Sequence, residues 1–295
     1  MKYRVEHRTH YLDGETVSLC HNLAHIIPLN SARQHCLERA IDIAPRPHAY
    51  QEHEDYFGNR VIYFSIEEPH TTLTVTIRSL VELHEVSGQL PIEGTLPWDQ
   101  VRDLLRDAPS PVLRLAQEYR LPSPMIEPLP ELADYAQPSF PSGRPLRTAV
   151  RDLTRRIHRE FTFDPHFSSV ATPLTEVLAH RRGVCQDFAH LAIGCLRSMG
   201  LAARYQSGYL ETLPPPGKPR LVGADASHAW FSAFDPEEGW LEFDPTNDRT
   251  PDHQYITVAQ GRDYADVAPL KGVIFGGGKT HQLKVAVDVI SLPDG

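Results

Sequence analysis

From Tyr3 to Leu83 apolar and polar positions alternate with a period of two. Tyr3, Val5, His7, Thr9 and Tyr11 fall on one face of an extended segment, and Lys2, Arg4, Glu6 and Arg8 on the other. The same period predicts strands over Val17 to Ile27, Leu37 to Ile43, Val61 to Glu67 and Thr71 to Leu83. Asp13-Gly14, Pro45-Arg46-Pro47 and Gly58-Asn59 supply turn chemistry between them. An antiparallel β-sandwich over residues 1–90 is the architecture this pattern predicts.

The pattern changes at residue 91. Prolines crowd the stretch to 144 (Pro122, Pro124, Pro128, Pro130, Pro138, Pro141), and two short helical patterns, Trp98 to Arg106 and Pro111 to Tyr119, interrupt it. Interspersed Leu, Ile and Tyr mark 91–144 as a packed connector. From 145 the period becomes helical: Val150, Leu153, Ile157 and Phe161 form an apolar stripe, and Arg151, Arg155, Arg156 and Arg159 a solvated face. A loop over Asp164 to Pro173 and a short helix over Leu174 to His180 follow. Next comes a helix that opens at Cys185, carries Phe188, Ala189, Ala192, Ile193 and Leu196 at helical spacing, and stops at Met199-Gly200. Strands are predicted over Arg204 to Leu210, Ser227 to Phe234, Gly239 to Asp244 and His281 to Ile290, with an exposed loop at Leu213 to Pro219. Gly276-Gly277-Gly278-Lys279 lacks phosphate-loop spacing and predicts a hairpin turn. The whole is an α+β chain: sandwich 1–90, connector 91–144, and a catalytic part 145–295 that includes the C-terminal strands.

The chemistry concentrates at Gly183-Val184-Cys185-Gln186-Asp187-Phe188-Ala189-His190. A thiol is mostly protonated at neutral pH, and a helix N-terminus beside an imidazolium favours the thiolate. Gly183 allows a tight turn into the helix, and the unpaired N–H groups of its first turn suit an oxyanion. His228 and Asp244 lie on strands close enough in sequence to form a hairpin, which places a carboxylate beside one imidazole nitrogen and leaves the other for Cys185.

The segments GVCQDFAH, GADASHAW, GWLEFDPTN and GRDYADVAP resemble, in this order, the bacterial transglutaminase-like proteins. That family's core is a papain-like fold, with a catalytic helix packed on an antiparallel sheet and a β-rich region ahead of it. The resemblance implies Cys185 as nucleophile, His228 as general base and acid, and Asp244 as the residue that orients His228. It implies a cysteine acyl-transfer enzyme acting on a peptide, isopeptide or glutamine side-chain amide, with water or a primary amine as acceptor. A catalytically silent scaffold of the same fold is the alternative. Gln186, Asp187, His190, Tyr209, Trp230 and Arg262 are candidates for contacting substrate or supporting the site, with Asp187 read as complementing the positive helix start and Arg262-Asp263 as either site residues or a structural ion pair. Gln186 stands where animal transglutaminases carry a tryptophan. No Trp lies between Trp98 and Trp230, so the upstream tryptophan donor of those enzymes has no counterpart.

Composition adds exclusions. A net charge of −9 argues against a nucleic-acid partner, and no apolar run reaches membrane-spanning length. Met1 to Arg8 is too charged for a signal peptide, so a cytoplasmic protein with free thiols is expected. Cys195 is read as core, and Cys20 and Cys36 as structural. His21 and His25 form the one H-x-x-x-H pair, on a predicted strand where the two rings need not converge. Neither a metal nor a cofactor is expected.

Overall fold

The computed structural model describes residues 1–84, 94–212, 226–278 and 280–293. The predicted loop Leu213 to Pro219 and Lys279 lie outside the described residues.

The N-terminal half is one curled, antiparallel, seven-stranded sheet organised by a single long strand, β1 (Lys2–Ala24). Its other members are β2 (Gln34–Ala44), β3 (Ala49–Glu54), β4 (Arg60–Ile66) and β5 (His70–Leu83), in the order β2-β5-β1-β4-β3. The last two strands of the chain, β12 (Leu270–Gly276) and β13 (His281–Leu292), complete it. The first half of β1 lies between β5 and β13, and the second half between β4 and β12. Residues 270–292, grouped from sequence with the catalytic part, thus share the N-terminal sheet.

Asp13-Gly14 does not turn the chain. The register shifts between Leu12 and Val17, and the N–H groups of Gly14 and Glu15 donate to the carbonyls of Thr280 and Gly277, so long-range partners replace the local turn. The segment Gly276-Gly277-Gly278, each residue with positive φ as glycine permits, is not the predicted hairpin turn: β12 ends opposite Val17 and β13 begins opposite Asp13, running on in the same direction along β1. The strands it joins both pair with β1, and no β12–β13 ladder forms among the described residues.

The connector contains α1 (Trp98–Asp107), α2 (Pro111–Gln117) and a third short helix, α3 (Pro130–Ala136), for which the sequence pattern gave no warning. Val101, Leu105, Ile126, Leu132 and Phe140 enter the same core as α4 (Leu146–Glu160) and α6 (Cys185–Ser198). Between those helices run β6 (Thr162–Phe163), α5 (Leu174–His180) and β7 (Arg182–Gly183).

Helix α6 is buried on every side from Phe188 to Arg197 and packs on a four-stranded antiparallel sheet. Its strands are β8 (Ala203–Leu210), β9 (Ala226–Asp235), β10 (Gly239–Phe243) and β11 (Tyr255–Gly261), ordered β10-β9-β8-β11, with α7 (Tyr264–Val267) after β11. A third cluster, including Tyr3, Val81 and Val289 from the curled sheet and Tyr209, Ile256 and Val258 from the second, joins the two sheets.

Candidate active site

Cys185 is the first residue of α6 and is half-buried. Arg181, in left-handed conformation, ends α5, and the chain then turns through Gly183 into the new helix. Gly183 is needed for close approach: a Cβ there would stand 2.8 Å from the Asp187 carboxylate. That carboxylate is buried and accepts from the backbone N–H of Val184 at 2.7 Å and from the Ser168 hydroxyl. Asp187 therefore braces the helix start through hydrogen bonds, while burial pushes its pKa up. Val184 precedes the helix without a side-chain cap, so the N–H groups of the first turn stay open to a ligand.

His228 is on β9 and Asp244 follows β10, the neighbouring strand, as the expected hairpin requires. His228 Nε2 is 2.8 Å from Asp244 Oδ2. With Nε2 engaged, Nδ1 is left for the Cys185 thiol, which is near enough to act on the ring's charge. Burial works against a charged ring here. The bond to Asp244 and the influence of Cys185 outweigh it and hold the pKa of His228 up at about 10.

Asp244 is fully buried yet held ionised, its pKa lowered despite desolvation. Oδ2 also accepts from Asn247 Nδ2 and Tyr255 OH, both at 2.7 Å, and Oδ1 accepts from the backbone N–H groups of Thr246 and Asn247 at 2.8 and 3.2 Å. The turn supplying those donors is fixed by α4: Arg151 pairs with Asp248 at 2.7 Å, and His158 Nδ1 is 2.9 Å from the Thr246 carbonyl oxygen. Part of the basic face of α4 is thus a brace for the Asp244 turn.

Trp230 stacks on His228, with ring centroids 6.0 Å apart, and meets Tyr255 edge-on. Gly208, paired with His228 across β8–β9, leaves room for that indole: a Cβ would stand 2.6 Å from Trp230 Cη2 and 2.1 Å from the Ile256 carbonyl oxygen. Gln186 extends its amide toward the Val170 carbonyl at 3.5 Å, beside Cys185. His190 is buried one turn further along α6.

Two candidates belong elsewhere. Tyr209 faces the junction between the sheets, its hydroxyl 2.9 Å from His7 Nδ1 and its ring packed in the cluster that joins them. Arg262 makes a two-pronged pair with Asp266 at 2.9 and 3.0 Å, while Asp263, the partner weighed from sequence, accepts from the backbone N–H groups of Met125 and Ala265. Cys195 is sealed in the core and burial pushes its thiol up to about 12. Cys20 and Cys36 lie on β1 and β2, which β5 separates. His21 meets Tyr63 and His25 meets Asp55, so the two histidines have different partners. Among the described residues, no helix is long and apolar enough to cross a membrane.

Tyr255 and Asn247 went unassigned from sequence. Asn247 falls in the FDPTN segment three residues past Asp244, a spacing that favours a turn bond back to a carboxylate. Tyr255 gave no signal, because its strand was not predicted and its contact crosses the sheet.

Residues 3–82 match the family described as the bacterial transglutaminase-like N-terminal region, and residues 134–245 match the transglutaminase-like superfamily. The chain belongs to the transglutaminase-like superfamily. An uncharacterized protein of Mycobacterium tuberculosis is 42% identical over 295 residues, covering 98% of this chain and 92% of the relative. One from Mycobacterium leprae is 34% identical over 99% of both chains. A protein-glutamine gamma-glutamyltransferase of Pseudomonas aeruginosa is 29% identical over 142 residues, 42% of this chain and 21% of that protein. Among solved structures, a candidate cysteine protease from Cytophaga hutchinsonii shares the fold, with a TM-score of 0.77 at 22% identity, over 100% of this chain and 92% of that one.

Proposed function

We propose that this transglutaminase-like protein is a cysteine-dependent acyl-transfer enzyme acting on amide bonds, with Cys185 as nucleophile, His228 as general base and acid, and Asp244 orienting His228. The observation that carries the reading is the His228 ring anchored by a buried, five-fold hydrogen-bonded carboxylate, with Cys185 opening the helix beside it and acting on its charge. The Cys185 sulfur gives its proton to His228 and attacks the amide carbonyl carbon. The open N–H groups at the start of α6 stabilise the resulting oxyanion. His228 returns the proton to the departing amine, the C–N bond breaks, and a thioester remains on Cys185. Water then releases an acid, or a primary amine releases a new amide. Water is the more abundant acceptor, which favours hydrolysis, while the Pseudomonas relative's name points to the amine. The substrate is a peptide or protein amide, and four free thiols suit the cytoplasm.

The test uses a blocked glutamine dipeptide and a panel of short peptides, each with and without hydroxylamine. Ammonia or free acid reports hydrolysis and hydroxamate reports transfer. Cys185→Ala and His228→Ala should each lower the rate by at least about 10³-fold while staying folded by circular dichroism. Wild-type turnover in Cys185→Ala would end the proposal. A protein that turns nothing over and whose Cys185 reacts no faster than Cys36 would be the silent scaffold.

A further inference from the structure

His190 is 3% exposed and sits on α6 five residues past Cys185. Its Nε2 accepts from the backbone N–H of Tyr264 at 3.1 Å. A backbone N–H only donates, so Nε2 carries the lone pair and the ring proton resides on Nδ1. Burial, opposed by Asp263, pushes the pKa down to about 4, so the ring is neutral at pH 7. Among the described residues no group accepts the Nδ1 proton, and that atom is not among those sealed from solvent. That N–H is therefore free to donate to a ligand acceptor in place of water.

That ring lines a cleft of about 680 Å³ whose two walls are Pro122 to Leu129 and Val170 to Thr175. Pro124, Met125, Ile126, Val170 and Leu174 make it mainly apolar, and Glu127 is the one charged side chain among its lining residues. Val170 in the cleft wall connects it to the nucleophile's neighbour, since its carbonyl receives the Gln186 amide. The GRDY segment builds its far end. Asp263 accepts from the Met125 N–H at 2.8 Å and holds one wall, while the Tyr264 N–H fixes the His190 tautomer.

The geometry points to this cleft as the binding site for an extended, uncharged peptide segment flanking the attacked carbonyl, with the His190 Nδ1–H donating to one of its backbone carbonyls. The inference rests on the acyl-transfer reading of Cys185. The apolar walls take aliphatic side chains. Glu127 at the lip disfavours an acidic segment.

Alkylation of Cys185 tests this without a known substrate. Three probes are compared by mass spectrometry: iodoacetamide, which is too short to occupy the cleft while reacting with Cys185; acetyl-Leu-Ala chloromethyl ketone; and iodoacetyl-Ala-Leu-amide. The two dipeptides extend in opposite directions from the reacting carbon. Each rate is divided by the iodoacetamide rate of the same variant, after correction for the reagents' rates with a free thiol, so changes in thiol reactivity cancel. At least one dipeptide should be preferred by wild-type protein. His190→Phe, which keeps a planar ring and loses the donor, should reduce that preference about 3- to 10-fold, the size of one lost neutral hydrogen bond. Val170→Trp, which fills the cleft without touching His190's partners, should reduce it at least as much and keeps the test alive if His190→Phe fails to fold. No preference for either dipeptide, or a preference that survives both substitutions, overturns the cleft assignment. Failure of iodoacetamide itself to select Cys185 over Cys36 would instead count against the nucleophile.

Discussion

The Tyr255 hydroxyl donates at 2.7 Å to the same Asp244 oxygen that faces His228 at 2.8 Å. A strand on the far edge of the sheet thus reaches past Trp230 to fix the carboxylate. Tyr255→Phe removes one donor to a buried charge and should cost about 1.5–3 kcal/mol in urea denaturation. Alkylation of Cys185 at pH 7 should slow as well, because His228 loses part of its orientation.

The pH dependence of stability follows from His228. Its pKa is raised from an ordinary 6.5 to about 10 on folding, so its contribution is complete below pH 6.5 and disappears as pH rises through about 10. The urea midpoint should therefore fall across that window in wild-type protein, and fall less in His228→Gln. Asp244 acts at the other end. Its pKa is lowered, so its contribution is present above its unfolded pKa and is lost on acidification.

Gly208→Ala should be among the most damaging single substitutions. The added methyl would meet the Ile256 backbone at 2.1 Å, and backbone does not yield as a side-chain tip does. A loss above about 3 kcal/mol, or no soluble protein, is expected. A near-wild-type melting temperature would refute the packing described for Trp230.

Asp187→Ala should cost about 1–2 kcal/mol, as loss of a helix-start acceptor does. Asp187→Asn, which keeps an acceptor for the Val184 N–H, should cost less. Comparing the two by thermal melts separates the hydrogen bond from the charge.

Cys195→Ser puts a hydroxyl where burial is complete and should destabilise by about 1–3 kcal/mol. Turnover per folded molecule should stay at the wild-type level, in contrast to Cys185→Ser.

What the sequence made legible was local. The helix opening at Cys185 was readable because its apolar spacing and its Met199-Gly200 stop are contiguous, and β9 and β10 because one short connection joins them. The misses are long-range. Gly14 reads as a turn until Thr280 supplies its partner from the other end of the chain. Tyr209 reads like its neighbour Tyr205 until the curled sheet places His7 against it. The opposite fates of His190 and His228 depend on partners at Tyr264 and Asp244 that periodicity does not reveal.

Lys2 pairs with Leu292, and β1 borrows one whole flank from residues 270–292. On a ribosome the chain grows from its N-terminus, so the longest strand leaves first and its last neighbours leave at the end. Until then, a row of backbone donors and acceptors along β1 stands open to any passing strand. Completing the curled sheet is a closing event, and a nascent chain arrested before β12 would present that flank to chaperones, or to another copy of itself.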